Sequence, residues 1–124
     1  MAKQSLSIVV PVFNESDNLE HFYEAVRSEM ARLPYAWELL FIDDGSVDDT
    51  RAILERADAH VQSIFLARNS GHQLALTCGL DHAEGDAVIT MDGDMQHPPS
   101  LIPTLLDYWQ QGYEVVQTIR EATA

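Results

Sequence analysis

The chain has 124 residues, about one domain, with a hydrophobic fraction of 46% and a formal net charge of −13 at pH 7. That apolar fraction excludes a disordered chain. The acidic balance, with no Lys/Arg cluster to offset it, would repel bare nucleic acid and anionic lipid surfaces. A phosphate-bearing ligand would need a divalent cation between two negative partners. Cys78 is the sole cysteine, so an intrachain disulfide and a multi-cysteine zinc site are both excluded. Its apolar helical neighbours predict a buried thiol. No signal-peptide pattern precedes the first apolar run, and no stretch nears the roughly 20 apolar residues of a membrane span. The expected location is cytoplasmic.

LSIVVPVF (6–13) opens the order of elements as a strand buried on both faces. Over 17–33, Leu19, Phe22, Tyr23, Val26, Met30 and Leu33 recur at helical spacing, with Pro34 just beyond. WELLFID (37–43) is a second strand. Ser46 followed by Asp49 resembles a capping box and predicts a helix to about Ala59. VQSIFLA (61–67) is a third strand, and a helix over 73–84 is predicted to bury Leu76, Leu80 and Ala83 and to stop at Gly85. AVITMD (87–92) is a fourth strand. A helix opened by Ser100 or the prolines before it and ending near Gln111, with Pro103 in its first turn, leads to a fifth strand, YEVVQTI (113–119). Strict alternation of this kind implies an α/β fold with a mainly parallel sheet and helices on both faces.

In such sheets ligands bind beyond the carboxyl ends of the strands. The loops leaving strands one, two and four are PVFNESD, DDGSVDD and DGDMQHPP, all carrying acids, whereas the loop after strand three, ARNSGHQ, brings Arg68, Gly71 and His72. Acids that served only solubility would be scattered along helix surfaces. Asp92 and Asp94 stand two apart in an extended segment, so both side chains leave the same side, with Cα atoms roughly 6–7 Å apart. Gly93 between them lets a ligand approach the backbone. Oxygen-only ligation by few residues suits Mg²⁺ or Mn²⁺ shared with substrate phosphates, and Gln96 could add a carbonyl oxygen. His97 could serve Mn²⁺ or be a polar loop residue.

Asp43 and Asp44 could accept hydrogen bonds from a base N–H or from ribose hydroxyls, while Ser46, Asp48 and Asp49 shape a turn and helix start. Pro11, Phe13, Asn14 and Glu15 could wall a planar base; Phe13 fits the core equally well. Neither G-x-G-x-x-G nor a Walker A pattern occurs. His21, His60 and His82 read as surface residues, and His72 near a helix start is a candidate for substrate contact.

With these loops placed, PVFNESDNL (11–19), DDGSVDDT (43–50), the run from Ala67 to Pro99 and LIPTLLDYWQQGYEVV (101–116) resemble the family-two, GT-A-type glycosyltransferases. The similarity is greatest to those that load a sugar onto a polyprenyl phosphate, and it covers essentially the whole chain in order. It implies a Rossmann-like GT-A fold in which residues 1–124 form the nucleotide-sugar-binding part. Pro11, Phe13 and Glu15 would contact the nucleotide, with Asp43 or Asp44 at the base or ribose. Asp92 and Asp94 would be the catalytic pair, holding the Mg²⁺ or Mn²⁺ that bridges the diphosphate, with Gln96 as a further ligand. The implied donor is a UDP- or GDP-sugar, the reaction inverting, and the acceptor a polyprenyl phosphate met by the full-length protein at the cytoplasmic face of the membrane.

His97 departs from the acid that the family commonly carries there, and Ser70 from an aromatic or basic residue. Family members also continue well past the fifth strand into acceptor-binding and membrane-associated parts, so this chain resembles the nucleotide-binding half. A non-catalytic nucleotide-binding or oligomerisation module, with a homo-oligomer formed through exposed apolar surface, is the alternative. A receiver-type signalling domain shares the length and alternation. It would need an acidic pair, an aspartate and a lysine where this chain has Asn14-Glu15, Arg68-Asn69 and Arg120.

Overall fold

The computed structural model describes residues 4–56, 59–93 and 98–112. Four parallel strands, β1 (Ser5–Val12), β2 (Ala36–Asp43), β3 (Val61–Phe65) and β4 (Ala87–Thr90), form one sheet in the order β3-β2-β1-β4. Between and after them lie α1 (Leu19–Met30), α2 (Thr50–Glu55), α3 (His72–His82) and α4 (Ile102–Gln110), the last preceded by a 3₁₀ turn, Pro99–Leu101. This is the strand order of the Rossmann half-fold. A receiver domain places its third strand beside its first, so the order rules that alternative out. The fifth strand expected over 113–119 lies outside the described residues.

The period-two geometry of a strand explains why β1 is apolar throughout. Leu6, Ile8, Val10 and Val12 face one core together with Leu39 and Phe41 of β2. Helix α1 closes that core with Leu19, Phe22, Val26 and Met30, spaced three and four apart. Full burial of such side chains contributes about 1.5–3 kcal/mol each, and Phe22 meets Phe41 edge-on at 6.1 Å. Leu54 of α2 and Ile102 and Leu106 of α4 complete this face. Val9, Leu40 and Ile42 point the opposite way, against Ala75 of α3. The expected helices on both faces are therefore present.

Helix α3 corrects one expectation. Its buried residues are Ala75 and Gly79, whereas Leu80, expected in the core, is 46% exposed. A Cβ on Gly79 would stand 2.4 Å from Val9 Cγ1 and 2.6 Å from Ile42 Cδ1. The helix lies so close to the sheet that its contact stripe is made of small residues, and the leucines sit at its margins. Cys78, expected to be buried, is only half-buried beside the same cluster.

The helix start after β2 is a second correction. Helix α2 begins at Thr50 and ends at Glu55, with Arg56 as its C-cap, rather than running from Ser46 to Ala59. Ser46 forms no capping box: its hydroxyl accepts the Asn14 amide at 2.8 Å. A long-range partner has displaced the local one. Strand β1 also ends one residue early, and Phe13, which could have joined the core, is 42% exposed.

Candidate functional site

Because all strand pairs are parallel, the loops that leave them gather at one end of the sheet. The order reverses direction between β1 and β4, and a ligand crevice is expected where it does. A cleft of about 370 Å³ opens there, walled by Pro11, Phe13 and Glu15 from β1 and its loop and by Asp92 and Gly93 after β4. Asp44, Asn69 and His72 complete it from the next two loops.

Glu15 is half-buried, and its Oε2 accepts the Asn18 side-chain amide at 3.0 Å. Asn14 turns the chain there with a φ of +51°, a left-handed conformation that asparagine tolerates better than most residues. The exposed Phe13 ring stands free to face a planar group.

Asp43 ends β2 and Asp44 follows it, at 2% and 5% exposure, and both are tied to backbone amides. Asp43 Oδ1 accepts the Ser46 amide at 3.1 Å. Asp44 takes two: Ser70 N–H reaches Oδ1 at 2.7 Å and Gly71 N–H reaches Oδ2 at 3.0 Å. Hydrogen bonds to a carboxylate are stronger than neutral ones, so Asp44 anchors the turn that starts α3. Of the adjacent pair, only Asp44 is among the residues that line the cleft.

Anchoring the β3–α3 turn brings in two groups that local reasoning undervalued, Asn69 and His72. Gly45 makes the approach feasible: its φ is +76°, and a Cβ there would lie 2.5 Å from the Asn69 amide nitrogen. The sequence signal was the glycine after two acids, but its partner lies a crossover away. Arg68, named with this loop, is exposed and is not among the lining residues.

Asp92 lies two residues past β4, after Met91, whose N–H still pairs with Val9 O at 3.0 Å. It is half-buried, and Gly93 beside it packs so that a Cβ would come within 3.0 Å of Val12 Cγ1. Asp94, Gln96 and His97 lie outside the described residues, as does Arg120. Among the described residues no three His, Cys, Asp or Glu side chains converge as a complete metal cage. Asp92, with Glu15 and Asp44 across the cleft, offers only hard oxygen donors. Of these, the Asp44 oxygens already accept the Ser70 and Gly71 amides, and Glu15 Oε2 accepts the Asn18 side-chain amide. Asp92 makes no such bond among the described residues, and its oxygens suit a Mg²⁺- or Mn²⁺-type cation that shares its coordination with a bound ligand.

Three carboxylates and no lysine or arginine line this cleft among the described residues. Such a surface repels a bare anion and welcomes a cation or hydrogen-bond donors. A second cavity of about 240 Å³ lies against α1 and α2, lined by Leu19, Tyr23, Phe41 and Ile53. Glu20 and Arg56 also line it, but its wall is mainly apolar.

Residues 7–123 match the family model described as Glycosyl transferase family 2. The uncharacterized glycosyltransferase YkcC of Bacillus subtilis is 42% identical over 117 residues, covering 92% of this chain and 36% of that protein. An undecaprenyl-phosphate 4-deoxy-4-formamido-L-arabinose transferase of Salmonella choleraesuis is 38% identical over 122 residues, covering 95% and 37%. The chain thus spans well under half the length of these relatives. Among solved structures, glucosyl-3-phosphoglycerate synthase from Mycobacterium tuberculosis, in complex with Mn²⁺, UDP and glucosyl-3-phosphoglycerate, superposes with a TM-score of 0.70 at 24% identity. That match covers 88% of this chain and 40% of the synthase, and it establishes a shared GT-A fold.

Proposed function

This chain belongs to glycosyl transferase family 2, and from that membership we propose that it is the donor-binding part of an enzyme that transfers a sugar from a nucleoside-diphosphate sugar to a polyprenyl phosphate. The observation that carries the reading is the cleft at the β1/β4 reversal, where Phe13, Glu15, Asp44 and Asp92 meet. The exposed Phe13 ring and Pro11 form a wall for the base, and Glu15 and Asp44 accept hydrogen bonds from base or ribose. Asp43, buried behind them, keeps the end of β2 in place.

Asp92, with Asp94 and Gln96 from the same loop, would hold a Mg²⁺ or Mn²⁺ ion against the donor diphosphate. When bound, that ion neutralises the charge that grows on the leaving group. Transfer is inverting: an acceptor phosphate oxygen bonds to the anomeric carbon as the bond to the diphosphate breaks, and the nucleoside diphosphate leaves with the electron pair. A phosphate acceptor is already anionic near neutral pH, so it needs little help from a general base. The proposed acceptor class is a membrane lipid, so the whole protein would act at a membrane surface, its cytoplasmic face on this reading. No helix among the described residues is itself long and apolar enough to cross one.

Calorimetry with UDP- and GDP-sugars in the presence of Mn²⁺ or Mg²⁺ tests this reading. The expected result is cation-dependent binding of one donor, weakened at least about tenfold, or ~1.4 kcal/mol, by Asp92→Asn. Transfer of a labelled sugar to undecaprenyl phosphate by the protein in its full natural length completes the test. Absence of cation-dependent binding by every donor would overturn it.

A further inference from the structure

The loop that carries Phe13 and Glu15 is held by side chains that do not reach the cleft. Three consecutive backbone amides beyond β1 each donate to a different side chain of the β2–α2 loop or the first residue of α2. Asn14 N–H bonds Ser46 Oγ at 2.8 Å, Glu15 N–H bonds Thr50 Oγ1 at 2.9 Å, and Ser16 N–H bonds Asp48 Oδ2 at 3.2 Å. The tie is reciprocal, because Val47 N–H donates to Asn14 Oδ1 at 2.9 Å. Asp48 Oδ1 also accepts Thr50 N–H at 2.9 Å, which locks the second loop to itself. Thr50 is fully buried. None of Asn14, Ser46, Asp48 and Thr50 is among the cleft-lining residues, whereas Phe13 and Glu15 are.

The β1–β2 ladder does not depend on these bonds. It is paired from Ser5↔Ala36 to Val12↔Asp43 and closes with Asp44 N–H on Val12 O at 2.9 Å, before the clasp begins. What the clasp determines is the path of residues 13–16 beyond the sheet. Loop residues ordered before a ligand arrives remove their ordering cost from the affinity.

We infer that Asn14, Ser46, Asp48 and Thr50 form a positioning clasp that sets the affinity of the cleft for a nucleotide by fixing Phe13 and Glu15, without touching the nucleotide. This rests on the donor-cleft reading above. Asn14 is the informative member, because its side chain makes one tie and its left-handed backbone makes the turn. Asn14→Gly keeps the turn and removes the tie; Asn14→Asp keeps both.

The test uses the protein in its full natural length, with UDP and GDP as probes in Mn²⁺, by calorimetry well below the melting temperature of every variant. Asn14→Gly and Asp48→Ala are each expected to weaken the nucleotide that the parent binds by about tenfold, mostly in the entropic part. Asn14→Asp is expected to restore the parent affinity to within about threefold. Asp48→Ala alters an exposed side chain and decides the matter should Asn14→Gly not fold. A purely structural tie would lower the melting temperature and leave the dissociation constant unchanged. Unchanged dissociation constants in whichever of the two variants fold, with a parent that binds, overturn the clasp alone. A parent that binds neither nucleotide overturns the donor reading and this inference with it.

Discussion

Gly45 and Asn69 stand so close that a methyl group on the glycine would overlap the asparagine's amide nitrogen, with only 2.5 Å between the two atoms. The β2 and β3 loops are fitted together by backbone contact there, and Asp44 secures the fit through the amides of Ser70 and Gly71.

Replacement of Gly45 by alanine therefore meets two costs at once. The residue would have to hold a φ of +76°, and its Cβ would press on the backbone of Arg68 and Asn69. Left-handed strain and overpacking together are expected to remove about 3 kcal/mol of stability. Urea denaturation of Gly45→Ala measures this, and an unchanged midpoint would show that the β3–α3 turn yields freely.

A second glycine tests a competition of opposite signs. In an isolated helix, Gly→Ala gains up to about 1 kcal/mol. At position 79 of α3 the new Cβ meets Val9 and Ile42, both fully buried. Overpacking of this kind costs typically about 1–3 kcal/mol, so Gly79→Ala is expected to lower the melting temperature. A rise would mean that α3 can lift from the sheet at little cost.

Asp48 gives a pH dependence of definite sign. Desolvation pushes its carboxyl upward, but the hydrogen bonds from Thr50 and Ser16 together outweigh it and lower the pKa to about 2. A depressed native pKa favours the folded state above the ordinary carboxylate range, near pH 4, and this contribution disappears as pH falls through about 2. The stability difference between the parent and Asp48→Ala should therefore shrink over that interval. Because Asp48 is exposed, added salt should reduce the difference at higher pH as well. Urea midpoints of both proteins at pH 5 and near pH 2 read it directly; a gap that persists in acid would show that the ionised carboxylate is not what matters.

Much of the architecture could be read from periodicity. Runs rich in β-branched and aromatic residues located the four described strands, most plainly β1, where a central parallel strand buries both faces, and alternation implied the layers. Features set by partners distant in the chain were not legible in this way. Ser46 looked like a helix cap because the Asn14 amide that claims it is 32 residues away. On α3, Leu76 and Ala83 do pack against the sheet, but Leu80 lies exposed and the buried positions are Ala75 and Gly79. Close approach selects small residues there, and these give a weak periodic signal. Of the candidate site, Pro11, Phe13, Glu15, Asp44 and Asp92 come together, whereas Asp43 is turned to a structural bond. Asn69 and His72 join only because Asp44 and Gly45 draw their turn inward.

One consequence of the tied β1 loop concerns charge. In dinucleotide-binding folds, free backbone N–H groups after the first strand and at the helix start cradle the pyrophosphate. Here the amides of Asn14, Glu15 and Ser16 are already saturated by Ser46, Thr50 and Asp48. The chain has thus closed off that peptide nest at β1, and acids stand around the cleft instead. On the donor-cleft proposal, a phosphorylated guest would arrive with its charge offset by a cation, as an ion-paired ligand rather than the naked anion.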